Sequence, residues 1–351
     1  SAWLVITLDD DTSQGNQALE EFLVDTTLTI KVLGAGGAGN NTLDTLAQTG
    51  VRGAQLIALN TDAQDLLDTE ADGKILLGKH STRGMGAGNN PQVGESAARE
   101  AHEAIRQAVD GSDLVFVVGG LGGGTGTGSL PVIAEISKGQ GVLTVAICSL
   151  PFQMEGRRRW ENAMGGLRKL EGHVDALILL PNEKLMKHAQ NMPLQTAFKL
   201  SDTVAAEALK GIIELVTKPG IVNLDFSDLK AVLKDSGIAV IGMGESDTQQ
   251  RATEAVQRAM SNPLIEANLR GASGALINVM GGTDMTLSQA QAVIEEVKKS
   301  LTEDARLIWG TQLDESMKGK IKVLVVITGL SSKAMLDSQA EDGYLHVDEL
   351  I

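Results

Sequence analysis

The sequence contains a single cysteine, Cys148, and few residues of the kinds that bind zinc. A lone cysteine forms no disulfide within its own chain, which indicates a reducing compartment and a buried structural thiol. The five histidines show no His-Glu-x-x-His spacing and there is no cysteine pair, so a zinc site is not expected. A Gly-x-Ser-x-Gly segment is also missing, which argues against a serine hydrolase of the α/β type.

Positive charge is scarce as well. The chain has 30 Lys and Arg against 45 Asp and Glu, a net charge of −15. Nucleic acids and anionic membrane surfaces select for basic faces, so neither is expected as a partner. The apolar run at residues 2–8 follows no basic region and is closed by Asp9, so it is not a secretory signal, and no run is long enough to span a bilayer. The sequence predicts a cytoplasmic protein without direct membrane insertion.

From residue 27 onward, strand-like runs alternate with helical patterns, among them helices predicted over residues 91–109 and 130–138. This alternation predicts an α/β protein with a parallel sheet covered on both faces. Helical spacing over residues 194–216 predicts one long central helix before a second βα-type pattern. The predicted divisions are an acidic extension (1–26), a first domain (27–193), the central helix (194–217), a loop with a following helix (218–235), a smaller C-terminal domain (236–330) and a tail peptide (331–351).

The most informative segment is rich in glycine. Residues 119–129 read Gly-Gly-Leu-Gly-Gly-Gly-Thr-Gly-Thr-Gly-Ser and lie between the apolar run at residues 114–118 and a predicted helix. Because glycine has no Cβ, the backbone can approach an anion closely, and its N–H groups and the positive end of the helix dipole act as donors. The segment therefore predicts a site for the polyphosphate of a nucleotide.

Two further glycine segments lie at residues 34–39 and 84–88. The first satisfies G-x-G-x-x-G, and Asp62 stands near the position where dinucleotide enzymes place a ribose-binding carboxylate, so a Rossmann-type NAD(P)-dependent oxidoreductase remains an alternative. A pyrophosphate needs one such turn, whereas three glycine segments favour a terminal triphosphate. The usual P-loop is excluded, because no Lys-Ser/Thr pair follows the last glycine.

Two of these motifs carry a family resemblance. Residues 122–129 resemble the signature of the tubulin and FtsZ superfamily, and residues 223–228, Asn-Leu-Asp-Phe-Ser-Asp, resemble the FtsZ synergy loop. The chain is identified as a member of the FtsZ family, of the archaeal type, from about residue 29 to about residue 330. Ala38 replaces a glycine that many members carry. Further matching segments are residues 60–64, 151–152, 155–159 and 181–182.

The resemblance implies a parallel-sheet GTP-binding domain joined by the central helix to a smaller α/β domain with a mixed sheet, as in tubulin and FtsZ. It implies a GTP-dependent, self-assembling GTPase that polymerises head to tail at the division site of the cell. GTP or GDP would be the ligand, with Mg²⁺ held mainly by phosphates and water. Residues 344–351 could bind a membrane adaptor, although they depart from the common bacterial tail. A GTP-dependent scaffold that does not hydrolyse GTP is the other alternative.

Recognition of guanine can also be argued from the residues. Guanine presents N1–H beside an amino group, and one carboxylate can accept from both. Asp202 lies one helical turn after Phe198, whose ring could stack on the base. The residues expected to bind the nucleotide are Gly36, Gly37, Ala38, Asn40, Asn41, Asp62, Ala63, Gly86, Ala87, Gly88, Gly122, Gly123, Gly124, Thr125, Gly126, Thr127, Glu155, Arg159, Asn182, Phe198 and Asp202.

The glycine segments supply donors but no base for hydrolysis. Asp225 and Asp228 follow the central helix and are expected to lie far from the phosphate site. The resemblance implies that they, with Asn223, act as catalytic residues on the nucleotide of the next subunit in the filament. The other interpretation of Asp225 is that it only caps a helix that begins near Asp228.

Overall fold

One continuous sheet of ten strands runs through the described part of the chain. This computed structural model describes residues 28–181, 194–218, 220, 222, 224–261, 272–302 and 304–330. The strands are β1 (Ile30–Ala35), β2 (Gln55–Asn60), β3 (Gly73–Leu76), β4 (Leu114–Gly120), β5 (Leu143–Leu150), β6 (Ala176–Pro181), β7 (Gly237–Ser246), β8 (Gly274–Gly281), β9 (Arg306–Leu313) and β10 (Ile321–Leu330). Their order across the sheet is β3-β2-β1-β4-β5-β6-β7-β10-β8-β9.

Helices cover both faces of this sheet. They are α1 (Gly36–Gln48), α2 (Ala63–Asp68), α3 (Pro91–Glu100), α4 (His102–Val109), α5 (Thr125–Gly139), α6 (Arg157–Glu171), α7 (Leu194–Thr217), α8 (Phe226–Leu233), α9 (Arg251–Met260) and α10 (Leu287–Lys299). Short 3-10 helices lie at Gln153–Glu155 and Glu315–Met317. None of the helices in the described ranges is long and apolar enough to cross a membrane.

Strands β1 to β6 are paired in parallel, as the sequence predicts. In β4, Val115 and Val117 enter one apolar core and Phe116 enters the other, because successive side chains of a strand point to opposite faces. Burial on both faces explains why these strands are almost continuously apolar. Cys148 of β5 is a free, buried thiol, and burial raises its pKa, which confirms a structural role.

The C-terminal part of the sheet is mixed, as expected. Strand β10 is antiparallel to both β7 and β8, and β8 is parallel to β9. The sequence did not predict that both parts share one sheet. Strand β7 continues the parallel part by pairing with β6, with Ala176 opposite Gly237 and Ile178 opposite Ala239. Such pairing joins strands far apart in sequence, so no local pattern could indicate it.

The central helix α7 ends within one residue of its predicted end, at Thr217. Leu209, Ile212 and Ile213 are fully buried, which confirms the apolar face indicated by the helical spacing. Gly211 lies against β10, and its carbonyl oxygen accepts a hydrogen bond of 3.0 Å from the Asn278 side chain of β8. Helix α7 therefore packs against the C-terminal strands along its second half.

Two predicted helices differ from the structure. The helix expected over residues 91–109 divides at Ala101 into α3 and α4; at this break the Glu100 carboxylate accepts hydrogen bonds from the N–H groups of His80 and Ser81. The helix expected from residue 130 begins already at Thr125, inside the glycine segment. Both differences depend on contacts with distant parts of the chain. The apolar periodicity within a segment carries no information about such contacts.

Glycine at position 128 is required by close packing. A Cβ there would lie 2.0 Å from the carbonyl oxygen of Pro91, so α5 and α3 touch through their backbones. We expect Gly128→Ala to lower the free energy of unfolding by about 1–3 kcal/mol, measured by denaturant titration. Gly139→Ala on the same helix meets no atom of the described residues within 4 Å and should change stability by about 1 kcal/mol or less. Equal stability of the two variants would contradict this account.

Candidate functional site

The three glycine segments of the sequence meet at the carboxyl ends of β1, β2 and β4. These strands are adjacent and parallel, so the segments after β1 and β4 emerge side by side, and a bridge between Asp62 and Met85 brings residues 84–88 to the end of β2. A Cβ on Gly36 would lie 3.0 Å from the backbone nitrogen of Gly126, and one on Gly124 would lie 2.8 Å from the Cβ of Ala87. Residues 34–39, 84–88 and 122–128 thus form one surface, here called the cradle.

Two helices begin at the cradle without a side-chain cap. Helix α1 follows Ala35 and α5 follows Gly124, and neither N-terminus receives a capping hydrogen bond from a described side chain. The first N–H groups of a helix lack intrahelical partners, and the helix dipole places partial positive charge there. The cradle is therefore built to bind an anion, without a lysine.

The glycine segment before α5 is braced by two threonines. Gly122 has φ of +112° and its N–H donates to the Thr127 hydroxyl at 2.7 Å. The Thr125 hydroxyl lies 2.6 Å from that of Thr61. The side chains of Thr125 and Thr127, both expected to bind the nucleotide, thus also stabilise the loop. At Gly123 a Cβ would meet no described atom within 4 Å, so space lies open in front of this residue.

Asp62 has a local structural task. Its carboxylate accepts hydrogen bonds from the N–H groups of Gln64 at 2.9 Å and Asp65 at 3.2 Å, and so caps α2. The Gly86 N–H donates to the carbonyl oxygen of Thr61, which ties the second glycine segment to the end of β2. The expected nucleotide contacts of Asp62 and Gly86 thus compete with hydrogen bonds inside the protein.

A polar cluster beside the cradle was only partly anticipated. Asn40 is 1% exposed, and in the described part of the chain neither of its side-chain polar atoms has a hydrogen-bond partner. Asp65 accepts from the Asn60 amide at 2.5 Å and lies 3.8 Å from the Cβ position of Gly37. Burial, and then Asp62, raises the pKa of the Asp65 carboxyl, while the nearby amides of Asn60 and Asn40 oppose the rise. Among the described residues no cationic side chain pairs with this carboxylate.

Asp202 lies where the sequence predicts, on α7 facing α1. Its carboxylate bonds to the side chains of Thr42 and Asn41. Burial raises its pKa to about 7, and these two hydrogen bonds and the charge of Lys199 counteract part of the rise. The Phe198 side chain and the whole of Asn182 lie outside the described residues.

Glu155 and Arg159 form an ion pair at the rim of the cradle. The other Glu155 oxygen accepts from the Phe152 N–H at 2.9 Å, which fixes the carboxylate. A Cβ on Gly122 would lie 3.1 Å from the carbonyl oxygen of Arg159. The structure therefore places this pair next to the glycine segment, as its assignment to the nucleotide site requires.

Asp225 and Asp228, here called the acidic pair, lie elsewhere. Asp225 caps α8 by accepting from the Asp228 N–H at 2.8 Å, and Asp228 accepts from the Asp225 N–H at 3.4 Å, a capping box. The loop that carries the pair begins after Thr217, which lies against Gly53 just before β2. Helix α8 then leads into Ser236, whose N–H donates to Asp175 just before β6. The pair therefore lies at the amino ends of the strands, opposite the cradle. Asn223 is outside the described residues.

The structure brings many of the predicted site residues to one edge of the sheet, together with supporting groups that the sequence reasoning missed. The residues it missed are Thr42, Asn60, Thr61 and Asp65, which contact predicted site residues. Only tertiary structure brings these four to the cradle. Among the described residues no group of three or more His, Cys, Asp or Glu side chains could hold a metal ion.

Family comparisons agree with this geometry. Residues 29–190 match the tubulin/FtsZ family, GTPase domain, and residues 237–331 match the FtsZ family, C-terminal domain. Together the two regions cover well over half of the chain. The gap between them contains the central helix and the acidic pair.

Several individual proteins are similar over almost the whole chain. "Cell division protein FtsZ 1" of Thermococcus kodakarensis is 50% identical, covering 95% of this chain and 89% of that relative. The protein of the same name from Methanocaldococcus jannaschii is 52% identical, covering 92% and 88%. A solved structure described as "FtsZ dimer, empty" from M. jannaschii has a TM-score of 0.86 at 52% identity, covering 91% of this chain and 93% of that one.

The open space at Gly123 yields a test of the cradle. We expect Gly123→Ala to fold with unchanged stability, because its methyl group meets no described atom, but to bind pyrophosphate about tenfold more weakly by calorimetry, since the methyl group occupies the anion's place. Gly165→Ala on α6 also meets no described atom and should leave binding unchanged. Unaltered affinity in Gly123→Ala would place the anion elsewhere.

Proposed function

Because the chain belongs to the tubulin/FtsZ family, we propose that it binds GTP in the cradle and hydrolyses it with acidic groups supplied by a second copy. The first matched region is the GTPase domain of that family, and the chain is a tubulin-like GTPase. The observation that carries the shared site is the position of the acidic pair, at the opposite end of the strands from the cradle.

The guanine base is read by Asp202. Its carboxylate accepts from N1–H and the amino group of guanine, and adenine offers no such pair of donors. Asn41, already bonded to Asp202, lies beside the same edge. Phe198 stacks on the base and Asn182 adds a further contact, both by analogy with the family. Glu155 and Arg159, at the rim of the cradle, hold the ribose and the neighbouring phosphate.

The triphosphate is bound by backbone N–H groups at the beginnings of α1 and α5 and by the segment at residues 86–88. The remaining predicted contacts, Gly36 to Ala38 and Gly122 to Thr127, act through the backbone. Mg²⁺ would be held by phosphate oxygens, with oxygens of Asp65 and Asn40 nearby, and would neutralise part of the phosphate charge. The Asn40 Oδ1, which has no hydrogen-bond partner among the described residues, and the Asp65 carboxylate are acceptors that fit such a cation.

Hydrolysis is completed between subunits. From Asp202 to the end of α7 is about 22 Å at 1.5 Å per residue, so the acidic pair is out of reach of the nucleotide in its own chain. In a head-to-tail stack the pair of one copy meets the cradle of the next, and such a non-closing contact produces a filament. The capping box uses one oxygen of each carboxylate, and the other oxygen can accept a hydrogen bond from the attacking water.

The cellular role follows from the relatives, which are named as cell division proteins. This chain would assemble at the division site, and residues 344–351, which lie outside the described residues, would bind a membrane adaptor. The dinucleotide oxidoreductase is set aside, because the chain matches a GTPase domain over residues 29–190 and Asp62 caps α2.

Removing one charge of the acidic pair tests the shared site. Asp228→Asn keeps a side-chain oxygen for the capping box, so we expect normal folding and normal GTP affinity. Phosphate release should fall by about 10²-fold or more, because the carboxylate that orients water is lost. The measurement is the rate of phosphate release at a series of protein concentrations. For wild type this rate should rise more steeply than linearly with concentration.

Ser227→Ala, at an exposed neighbour on α8, is the matched control and should keep the wild-type rate. When Asp228→Asn is mixed with wild type, the rate of phosphate release should fall in proportion to the fraction of subunit contacts in which the variant supplies the acidic pair. A wild-type rate in Asp228→Asn alone would reject the shared site. GTP-dependent assembly of wild type without phosphate release would instead support the scaffold alternative.

The pKa of Asp202 predicts a pH dependence of binding. The ionised carboxylate accepts from guanine and the protonated one does not, so GTP affinity should fall as the pH drops below about 7, by about tenfold per pH unit. Asp202→Asn should bind GTP weakly and lose this part of the pH dependence. Because Asn offers one acceptor and one donor, it should prefer XTP, whose base carries an oxygen in place of the amino group. Affinities by fluorescence competition between pH 5.5 and 8 would show this, and an unchanged profile in Asp202→Asn would contradict it.

A further inference from the structure

The loop between α7 and α8 is attached to one residue of β9. Within the described sheet β9 is an edge strand, with β8 on one side. On its other side Val222 forms a single bridge: the Val222 N–H donates to the Thr311 hydroxyl at 3.1 Å, and the Thr311 N–H donates to the Val222 carbonyl oxygen at 3.3 Å. Both backbone groups of Val222 are therefore satisfied by Thr311, which is 4% exposed.

The loop also approaches β9 closely on both sides of this bridge. A Cβ on Gly220 would lie 1.9 Å from the carbonyl oxygen of Thr311, so the two backbones are in contact. A Cβ on Gly310 would lie 3.3 Å from a methyl carbon of Leu224, which is buried and directly precedes Asp225. Gly220, Val222 and Leu224 thus contact β9 up to the residue where the acidic pair begins.

We propose that Thr311 is a positioning residue for GTP hydrolysis, acting through Val222 on the acidic pair. This inference rests on the proposed shared site. The capping box holds Asp225 and Asp228 relative to each other, whereas the bridge to Thr311 holds the start of α8 relative to the sheet. The pair must meet the γ-phosphate of a neighbouring molecule, so its placement on the subunit decides whether the carboxylates reach the water. Misplacement by about 1 Å can cost about 10²-fold in rate.

Thr328 offers a matched control for this role. It is a buried threonine on β10, 1% exposed, and its hydroxyl has no hydrogen-bond partner among the described residues. Replacing either hydroxyl by a methyl group keeps the shape of the side chain. Only at Thr311 does the change remove a hydrogen bond to the loop.

The experiment compares Thr311→Val, Thr311→Ser and Thr328→Val as full chains. For Thr311→Val we expect kcat for GTP to fall about tenfold with GTP affinity and assembly unchanged, and hydrogen exchange of the Val222 amide to become faster. Thr311→Ser retains the hydroxyl, so its kcat and its Val222 exchange rate should equal those of wild type. Thr328→Val should match wild type. If Thr311→Val folds poorly, Gly220→Ala replaces it in the experiment. Its added methyl group would displace the loop from β9 at a point just before the Val222 bridge, so we expect the same loss of kcat.

Two results would overturn the proposal. The first is a wild-type kcat in Thr311→Val together with faster Val222 exchange, which would make the bridge structural only. The second is an equal loss of kcat in Thr328→Val, which would indicate general destabilisation. Failure of the shared site is recognised separately, by full activity in Asp228→Asn, whereas Val222 exchange without GTP tests the anchor by itself.

Discussion

The close contact of α5 with β4 and α3 is the constraint on which the site depends. A Cβ on Gly126 would lie 2.5 Å from the Gly120 carbonyl oxygen, and one on Gly128 would lie 2.0 Å from that of Pro91. Only glycine permits the backbones of a helix and a strand to approach each other so closely. This contact aims the first N–H groups of α5 at the place where those of α1 also point. The anion site is thus made from backbone, and side chains such as Thr127 and Thr61 hold it in shape.

The same molecule keeps its two functional regions apart. The groups proposed to face the nucleotide gather at the carboxyl ends of the parallel strands, whereas the acidic pair lies at their amino ends. Helix α7 spans the distance between them, with Asp202 on its first half and the Thr311-anchored loop after its end. In the proposed mechanism this separation makes catalysis depend on assembly, because the acidic pair of one subunit completes the site of another. The two interpretations of Asp225, helix cap and catalytic group, are compatible, since capping orients the carboxylate.

Sequence reasoning located the elements well where a local pattern exists. The central helix, the parallel strands and the glycine segments each carry a periodicity or a composition that short-range physics explains. Helical spacing predicted that Phe198 and Asp202 share one face of the central helix, and family resemblance supplied Asn41, whose side chain bonds to Asp202 in the structure. Sequence reasoning did not find Asp65 or Thr311. Nothing near Asp65 in the chain signals that it faces Gly37, and Thr311 is 89 residues from Val222.

The sequence by itself determined the fold class and the family and indicated where a polyphosphate would bind, because glycine content, apolar periodicity and motif order are local properties of the chain. The tertiary structure decided which side chains support the loops, how burial raises the pKa of Asp202 to about 7, and that β6 and β7 join two regions into one sheet. These outcomes depend on desolvation and on backbone contacts between distant segments. Desolvation and long-range contacts arise only once the chain has packed, so these outcomes could not be predicted from residues that are neighbours in the sequence.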